Sequence, residues 1–136
     1  MGSRTMGGSM KVLVCGGRNY NDFNHVQTTL DSLHKETTIS LVISGAARGA
    51  DTLGEQWAKM RNVPVERFPA DWNEYGKAAG AIRNQQMLAE GRPDLVVAFP
   101  GGNGTLDMIR RSKRAGVNVL QIKERPAARD EDERLL

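Results

Sequence analysis

Short runs of apolar, mostly β-branched residues alternate along the chain with longer segments in which apolar positions recur every three or four residues. This alternation is typical of βαβ units, in which helices connect parallel strands. The fourth run is apolar almost throughout, as expected of a strand that is covered on both faces. The predicted strands are residues 11–15, 39–44, 63–68, 95–99 and 117–122.

Amphipathic helices are predicted between these strands. In the second helix, Leu53, Trp57 and Met60 share one face. Asp22 and Asp51 stand at the starts of the first two helices, where an aspartate side chain can accept a hydrogen bond from a free backbone N–H, so we predict that both are caps. The predicted helices are residues 23–35, 51–61, 78–90 and 105–115, and the polar segment 69–80 is predicted to be largely a loop.

These elements predict an α/β fold of the Rossmann-like type, with a five-stranded parallel sheet between two layers of helices. Right-handed crossovers favour the strand order 3-2-1-4-5. In this order the chain reverses direction between strands 1 and 4, and open α/β sheets bind ligands beside the carboxyl ends of the strands at such a point. The loops after strands 1, 2 and 4 are therefore the predicted site.

These three loops are rich in glycine. They hold seven of the twelve glycines that follow Met10. Glycine lets the backbone approach a ligand closely, and a helix N-terminus favours an anion, so a phosphate is the predicted guest. Thr105 is predicted to cap its helix or to donate to the phosphate. The predicted ligand-binding residues of the three loops are Gly16, Gly17, Arg18, Tyr20, Ser44, Gly45, Arg48, Gly49, Asp51, Pro100, Gly101, Gly102, Asn103, Gly104 and Thr105.

The segment after strand 3 supplies further candidates. Trp72 either stacks on a base or covers the sheet edge, and Tyr20 in the first loop has the same two alternatives, stacking or packing. Lys77, Arg83 and Asn84 are placed to reach a phosphate or a ribose hydroxyl. The loops match neither the dinucleotide-binding fingerprint nor a Walker loop, because G-x-G-x-x-G and Gly-Lys-Ser/Thr are both absent from them.

Four motifs in order, GGRNYND, SGAARGAD, GKAAGAIRNQQML and AFPGGNGT, resemble the YspA-like branch of the SLOG superfamily, which also includes DNA-processing proteins and the Lonely Guy (LOG) enzymes. The resemblance extends from Met10 to about Ile122. It implies a Rossmann-like fold, a nucleotide-derived small-molecule ligand and a homodimer. It also implies a sensing, sequestering or carrier role, because many members of this branch are inferred to be binders rather than enzymes.

The LOG enzymes are phosphoribohydrolases that carry a PGGxGTxxE motif and an upstream Arg-Lys pair. Here Arg83 and Asn84 stand where that pair would be, and the glutamate position holds Met108. Cleavage of an N-glycosidic bond passes through a cationic sugar that a carboxylate stabilises, which methionine does not do. If the chain is a hydrolase, its candidate catalytic residues are Arg83, Asp107 and Glu74, although Asp107 is offset from position 108 by about 100° around the helix.

Composition and charge bear on the metals, cofactors and partners that the protein is expected to have. The 136 residues include one cysteine and two histidines, so we expect no structural metal and no cofactor. No run approaches the roughly 20 apolar residues of a membrane helix, which leads us to expect a cytoplasmic protein without a membrane partner. The formal net charge is +3. The cations at positions 110, 111, 113 and 114 lack interleaved aromatic residues and complement a helix C-terminus, so nucleic acid is not the favoured partner.

We therefore divide the chain into a cloning leader at residues 1–9, a nucleotide-binding domain at residues 10–122 and a charged tail at residues 123–136. The leading hypothesis is a protein that binds a phosphorylated nucleoside or a related molecule. The first alternative is a LOG-like N-glycosidic hydrolase, and the second is a single-stranded nucleic-acid binder.

Overall fold

The computed structural model describes residues 8–124, and they form one five-stranded parallel sheet with the order 3-2-1-4-5. The predicted fold class and strand order are thereby confirmed. The elements are β1 (Ser9–Cys15), α1 (Phe23–Glu36), β2 (Thr38–Ser44), α2 (Ala50–Met60), β3 (Val65–Arg67), α3 (Trp72–Tyr75), a 3-10 turn (Gly76–Ala78), α4 (Ala79–Gln86), a π-helical turn (Met87–Gly91), β4 (Leu95–Ala98), α5 (Asn103–Arg114) and β5 (Asn118–Gln121).

β1 is the central strand, and it is buried because helices cover both of its faces. Alternate residues of the strand point to opposite faces of the sheet. Val12 and Val14 pack with Trp57 on the side of α1 and α2, whereas Leu13 and Cys15 pack with the side of α4 and α5. The two halves of the core therefore follow directly from the period-two pattern of the strand.

The register brings the ends of three strands together. Val14 pairs with Ser44 of β2, and Cys15 pairs with Ala98 of β4. Because the strands are parallel, the glycine-rich loops that follow them leave the sheet at one edge. At the other end of β1, Ser9 pairs with Thr38, so the last residue of the proposed leader lies in the sheet. The rest of that leader before Gly8, and the tail after Glu124, lie outside the described residues.

The structure corrects several local predictions. The predicted third strand shrinks to Val65–Arg67, at the edge of the sheet. The segment 69–80, predicted to be largely a loop, contains α3, the 3-10 turn and the first residues of α4. Met60 is half-exposed, because it lies in the last turn of α2, beyond the part of the helix that packs on the sheet.

Of the three side chains predicted to cap helices, one does so in the structure and two do not. Asp22 caps α1, where its Oδ1 accepts a hydrogen bond from the His25 N–H. Asp51 is not the cap of α2, because the helix begins one residue earlier and Gly49 occupies the cap position. Thr105 is likewise not a cap, because α5 begins at Asn103 and Thr105 is buried in its first turn.

Among the helices of residues 8–124, none combines the length and the apolar character needed to cross a bilayer. Within the same range, no group of three or more histidine, cysteine, aspartate or glutamate side chains is arranged to hold a metal ion.

Candidate functional site

A cavity of about 520 Å³ opens at the carboxyl edge of the sheet, between the loop after β1 and the helices α4 and α5. Cations, carboxylates, amides, glycine backbone and a few apolar side chains form its wall. The lining residues are Cys15, Gly16, Gly17, Arg18, Ala47, Asp51, Trp72, Lys77, Gly80, Ala81, Arg83, Asn84, Met87, Gly102, Asn103, Gly104, Thr105, Asp107 and Met108.

One helix N-terminus on this wall has no side-chain cap. α5 begins after Gly102, and no side chain of the described residues caps its first turn. By contrast, Asp22 caps α1, and the first N–H of α2, from Ala50, donates to the Gly17 carbonyl oxygen at 3.1 Å. One backbone N–H at the start of α1 and one at the start of α2 are therefore already hydrogen-bonded within the protein. α5 retains the partial positive charge of an uncapped N-terminus.

Part of the glycine enrichment serves loop-to-loop packing. At Gly49 φ is +81°, and an added Cβ would collide with the carbonyl groups of Gly17 and Arg18. At Gly101 an added Cβ would collide with the Thr105 hydroxyl and lie 2.6 Å from the Gly17 nitrogen. These glycines let the loops after β1, β2 and β4 come into contact. The contact between the first and third of these loops includes a hydrogen bond of 2.9 Å from the Gly17 N–H to the Pro100 carbonyl oxygen.

A hydrogen-bonded network joins α4 to the two loops beside the cavity. Arg83 Nη1 donates to the Gly45 carbonyl oxygen, and Arg83 Nε donates to Asn84 Oδ1 at 3.1 Å. Asn84 Nδ2 donates to Asp107 Oδ2 at 3.0 Å and to the Gly104 carbonyl oxygen at 3.3 Å. Asn84 is buried, so its amide holds the guanidinium of Arg83 and the carboxylate of Asp107 in fixed positions.

Asp107 lies on the cavity wall, although its helical position predicted that it would project away from the motif glutamate. The cavity follows the N-terminal half of α5 far enough to touch both Asp107 and Met108. Arg111 Nε donates to Asp107 Oδ2 at 2.8 Å, so this carboxylate is neutralised by a cation one turn later on the same helix. Met108 is 1% exposed and packs in the core on the α4 and α5 side.

The most buried carboxylate on the wall belongs to Asp51, which is 7% exposed. Burial raises its pKa to about 6, against the opposing effects of the hydrogen bond from the Ala47 N–H and the charges of Arg83 and Arg18. Burial also lowers the pKa of Arg83, which the nearby carboxylate of Asp51 counteracts. A carboxyl group and a guanidinium that perturb each other in a cavity are typical of functional sites.

Trp72 forms the outer rim of the cavity. The Arg18 guanidinium lies over the indole ring, 5.3 Å from its centroid, and this contact links the loop after β1 to α3. The Trp72 side chain remains 48% exposed. It therefore does not cover the sheet edge as a buried residue would, and its free surface is available for stacking.

Several predicted ligand-binding residues lie off the wall because the fold uses them. Ser44 is buried, and its hydroxyl donates to Glu55 Oε2 at 2.6 Å. Tyr20 stacks on Phe99 at 5.4 Å between centroids, which favours its packing alternative. Arg48 is exposed and donates to Asn19 Oδ1 at 3.4 Å. The other residues of the prediction that do not line the cavity are Gly45, Gly49, Pro100, Gly101 and, among the catalytic candidates, Glu74.

Six wall residues were not among the predicted binding or catalytic residues: Cys15, Ala47, Gly80, Ala81, Met87 and Met108. Burial raises the pKa of the Cys15 thiol, so the group stays protonated and acts as apolar wall. Gly80 and Ala81 carry little side chain, and this is the one sequence signal that pointed to an open space beside α4. The methionines are core residues whose exposed edges happen to face the cavity.

Comparison with known proteins identifies relatives of this chain. The family described as YAcAr (YspA, cpYpsA-related SLOG family) matches residues 10–75. The Gene 61 protein of Mycobacterium phage D29 is 38% identical over 124 residues, which cover 85% of this chain and 98% of that protein.

Among solved structures, DNA processing protein A (DprA) from Streptococcus pneumoniae superimposes with a TM-score of 0.68 and 18% identity. The match covers 87% of this chain and 52% of that one, so this chain spans about half of the DprA chain. This similarity concerns the fold. The family match and the full-length phage relative together establish that the chain belongs to the YspA, cpYpsA-related SLOG family.

Proposed function

We propose that this protein binds a phosphorylated nucleoside or a related nucleotide-derived molecule in the cavity at the carboxyl edge of the sheet, as a sensor, carrier or sequestering protein. The observation that carries the proposal is the meeting of the uncapped α5 N-terminus with Arg18, Lys77 and Arg83 around a volume of about 520 Å³. A cavity of this size suits a nucleotide-sized ligand.

The polar groups are distributed as such a ligand requires. Backbone N–H groups at the start of α5 and forked guanidinium donors suit a phosphate. Gly102 and Gly104 leave open space in front of that helix start, since an added Cβ at either would meet nothing within 4 Å. Trp72 offers an exposed ring for a base.

The test begins with mass spectrometry of small molecules that co-purify with the protein, followed by calorimetric titration with the four ribonucleoside 5′-monophosphates. Arg83→Ala should weaken binding by about tenfold or more, because it removes a charge-assisted donor. Arg110→Ala, which removes an exposed cation of α5 that does not line the cavity, is the matched control. Absence of any bound or co-purified phosphorylated molecule contradicts the proposal.

N-glycosidic hydrolysis is the second candidate, and the presence of two carboxylates on the cavity wall supports it. Asp107 is better placed than Glu74, which is exposed on α3 and does not line the cavity. Chromatography of nucleoside monophosphates after incubation would detect a free base. Release of base that disappears in Asp107→Asn supports the hydrolase, whereas recovery of intact nucleotide supports binding alone.

Nucleic acid is the third candidate. The structural neighbour is a DNA processing protein, which weighs against our expectation that nucleic acid is not a partner, and Trp72 and Tyr75 are exposed near Arg18 and Lys77. Aromatic rings beside cations are the arrangement that stacks and neutralises a single strand. Binding of a fluorescent oligothymidylate that weakens steeply with salt would support this candidate, and no binding at low salt would remove it.

The homodimer implied by the resemblance stays a proposal, and so does the cytoplasmic location expected from the sequence. Light scattering over a range of concentrations tests the dimer.

A further inference from the structure

Asp51 is the wall residue whose position is hardest to explain by the fold alone. It is the second residue of α2 and is buried at 7% exposure. Its Oδ2 accepts one hydrogen bond, of 3.1 Å, from the Ala47 N–H. A hydrophobic or neutral side chain at this position would avoid the cost of burying a carboxylate.

The neighbouring cations do not pair directly with this carboxylate. An added Cβ on Gly45 would lie 2.8 Å from Arg83 Nη1 and 2.9 Å from Asp51 Oδ2, so these two side chains approach each other beside this glycine. Arg83 nevertheless donates to the Gly45 carbonyl and to Asn84, and Arg18 lies over Trp72. Within residues 8–124 the Ala47 N–H is the only hydrogen-bond donor to the Asp51 side chain.

An ionised carboxylate has about four acceptor positions, so most of those on Asp51 are unused. Buried acceptors in folded proteins are normally satisfied, and the cavity is the open space next to this one. A ligand that fills the cavity must therefore bring hydrogen-bond donors to Asp51. A phosphate cannot be that part of the ligand, because its oxygens are acceptors and its charge repels a carboxylate.

In the proposed ligand class, the donors closest to a phosphate along the molecule are the ribose hydroxyls. Two neighbouring O–H groups match the two oxygens of one carboxylate, and acidic side chains bind ribose hydroxyls in other α/β nucleotide sites. We propose that Asp51 binds the 2′- and 3′-hydroxyls of the ribose, so that the site selects ribonucleotide-type over 2′-deoxyribonucleotide-type ligands. This proposal rests on the proposed function, since it assigns the sugar end of the same ligand.

The experiment uses base-free probes, because an amino group on a base is another donor that Asp51 could accept from. The affinities of ribose 5-phosphate and 2-deoxyribose 5-phosphate are measured by calorimetry or ligand-observed NMR at pH 7.5. The wild type should prefer ribose 5-phosphate by about tenfold or more, the loss expected when a hydrogen bond to a charged group is removed. Asp51→Asn should bring the ratio close to one while it leaves the weaker ligand within about threefold of its wild-type affinity.

Glu36→Gln removes an exposed carboxylate at the end of α1, outside the cavity, and should keep the wild-type ratio. Equal affinity of the wild type for both sugars, or an undiminished preference in Asp51→Asn, overturns the assignment of Asp51 but leaves phosphate binding intact. Failure of the wild type to bind either sugar phosphate, or any ribonucleoside monophosphate, overturns the proposed function itself. The comparison of the two sugar phosphates on the wild type tests the assignment even if Asp51→Asn does not fold.

Discussion

Arg83 on α4 donates a hydrogen bond of 2.5 Å to the carbonyl oxygen of Gly45, which lies in the loop after β2. The contact joins residues that are 38 positions apart in the sequence. Arg83 also donates to Asn84, and Asn84 donates to the Gly104 carbonyl oxygen, so the loop after β2 is linked through α4 to the start of α5. The guanidinium is thus a structural tie and a candidate ligand donor at once.

The shape of the guanidinium gives the first prediction. A lysine at position 83 carries one compact ammonium group, which cannot reproduce the planar fork that now reaches Gly45 and Asn84 and faces the cavity. Arg83→Lys should therefore weaken binding of ribose 5-phosphate by about tenfold, although the charge is retained. Calorimetry measures the change, with Arg110→Lys as control. An unchanged affinity would mean that Arg83 acts through its charge alone.

The pH dependence of stability should report the burial of Asp51. Burial raises its pKa from 3.8 to about 6, Glu55 adds to the rise, and the Ala47 N–H, Arg83 and Arg18 oppose it. The native state then holds its proton more tightly than the unfolded state, so this group lowers the free energy of unfolding as pH rises from about 4 to about 6. Above that range the cost is constant, on the order of 3 kcal/mol.

Asp51→Asn removes this cost, so the variant should be more stable than the wild type at pH 7.5 by up to about 3 kcal/mol. The difference should shrink towards zero below about pH 4. Urea unfolding between pH 3.5 and 8 measures it, and Glu74→Gln serves as the exposed control. If the variant is less stable than the wild type at pH 7.5, the contacts of the Asp51 carboxylate add more to the free energy of unfolding than its burial subtracts.

Two glycines with a positive φ differ in what an added side chain would meet, and Gly49, with ψ at −130°, also lies outside the left-handed helical region. Gly49 and Gly116 have nearly equal φ values, +81° and +79°, but an added Cβ at Gly116 meets nothing within 4 Å, whereas at Gly49 it collides with the loop after β1. Gly116→Ala should cost about 1–2 kcal/mol, the price of a positive φ alone. Gly49→Ala should cost more than this or prevent folding. Denaturant unfolding compares the two, and equal losses would contradict the importance of the loop contact.

Asp31 links α1 to α2 on the far side of the sheet. Its Oδ1 accepts hydrogen bonds from the Trp57 indole N–H at 2.8 Å and from Arg61 Nε at 2.9 Å. Asp31→Ala leaves the indole N–H of the fully buried Trp57 without this acceptor, which should cost about 1–3 kcal/mol. Glu36→Ala, an exposed carboxylate at the end of the same helix, is the control, and the two variants should differ clearly in urea midpoint.

The same contact has an acid dependence of opposite sign to that of Asp51. The hydrogen bond from Arg61 is the main cause that lowers the pKa of Asp31 below its usual 3.8, and the Trp57 N–H adds to it. The stability that Asp31 contributes is therefore complete at neutral pH and is lost as pH falls below 3.8 through the lowered pKa. The unfolding curves of the wild type and Asp31→Ala should converge there.

Fluorescence offers a direct readout of the cavity. The chain has two tryptophans, of which Trp57 is fully buried and Trp72 is half-exposed at the cavity rim. A ligand that stacks on Trp72 should change its emission, and Trp72→Phe should abolish that change while the emission of Trp57 persists. A ligand response that survives in Trp72→Phe would mean that the base lies elsewhere in the cavity.

The order of apolar and polar positions predicted the strands and helices, because each strand and each helix face shows its own period. The preference for right-handed crossovers then predicted the strand order 3-2-1-4-5, which the structure has. This strand order also predicted which edge of the sheet holds the cavity, since parallel strands end together. The shortened β3 was not predicted, because its extent is set by the pairing of Val65–Arg67 with β2. The helical turn after it was missed although a local signal was present, since Asp71 caps α3 by accepting a hydrogen bond from the Glu74 N–H.

The choice of site residues within that edge was decided by the tertiary structure. The sequence does not show whether a glycine packs against another loop or faces an open cavity. Only the folded chain distinguishes Gly49 and Gly101, which pack against other loops, from Gly102 and Gly104, which face open space. Asp51 was predicted both as a cap and as a ligand-binding residue, and the structure rules out the cap, because Gly49 holds that position. Its burial beside Arg83, which gives the carboxylate its raised pKa and its place in the cavity, depends on the approach of α4 to the loop after β2.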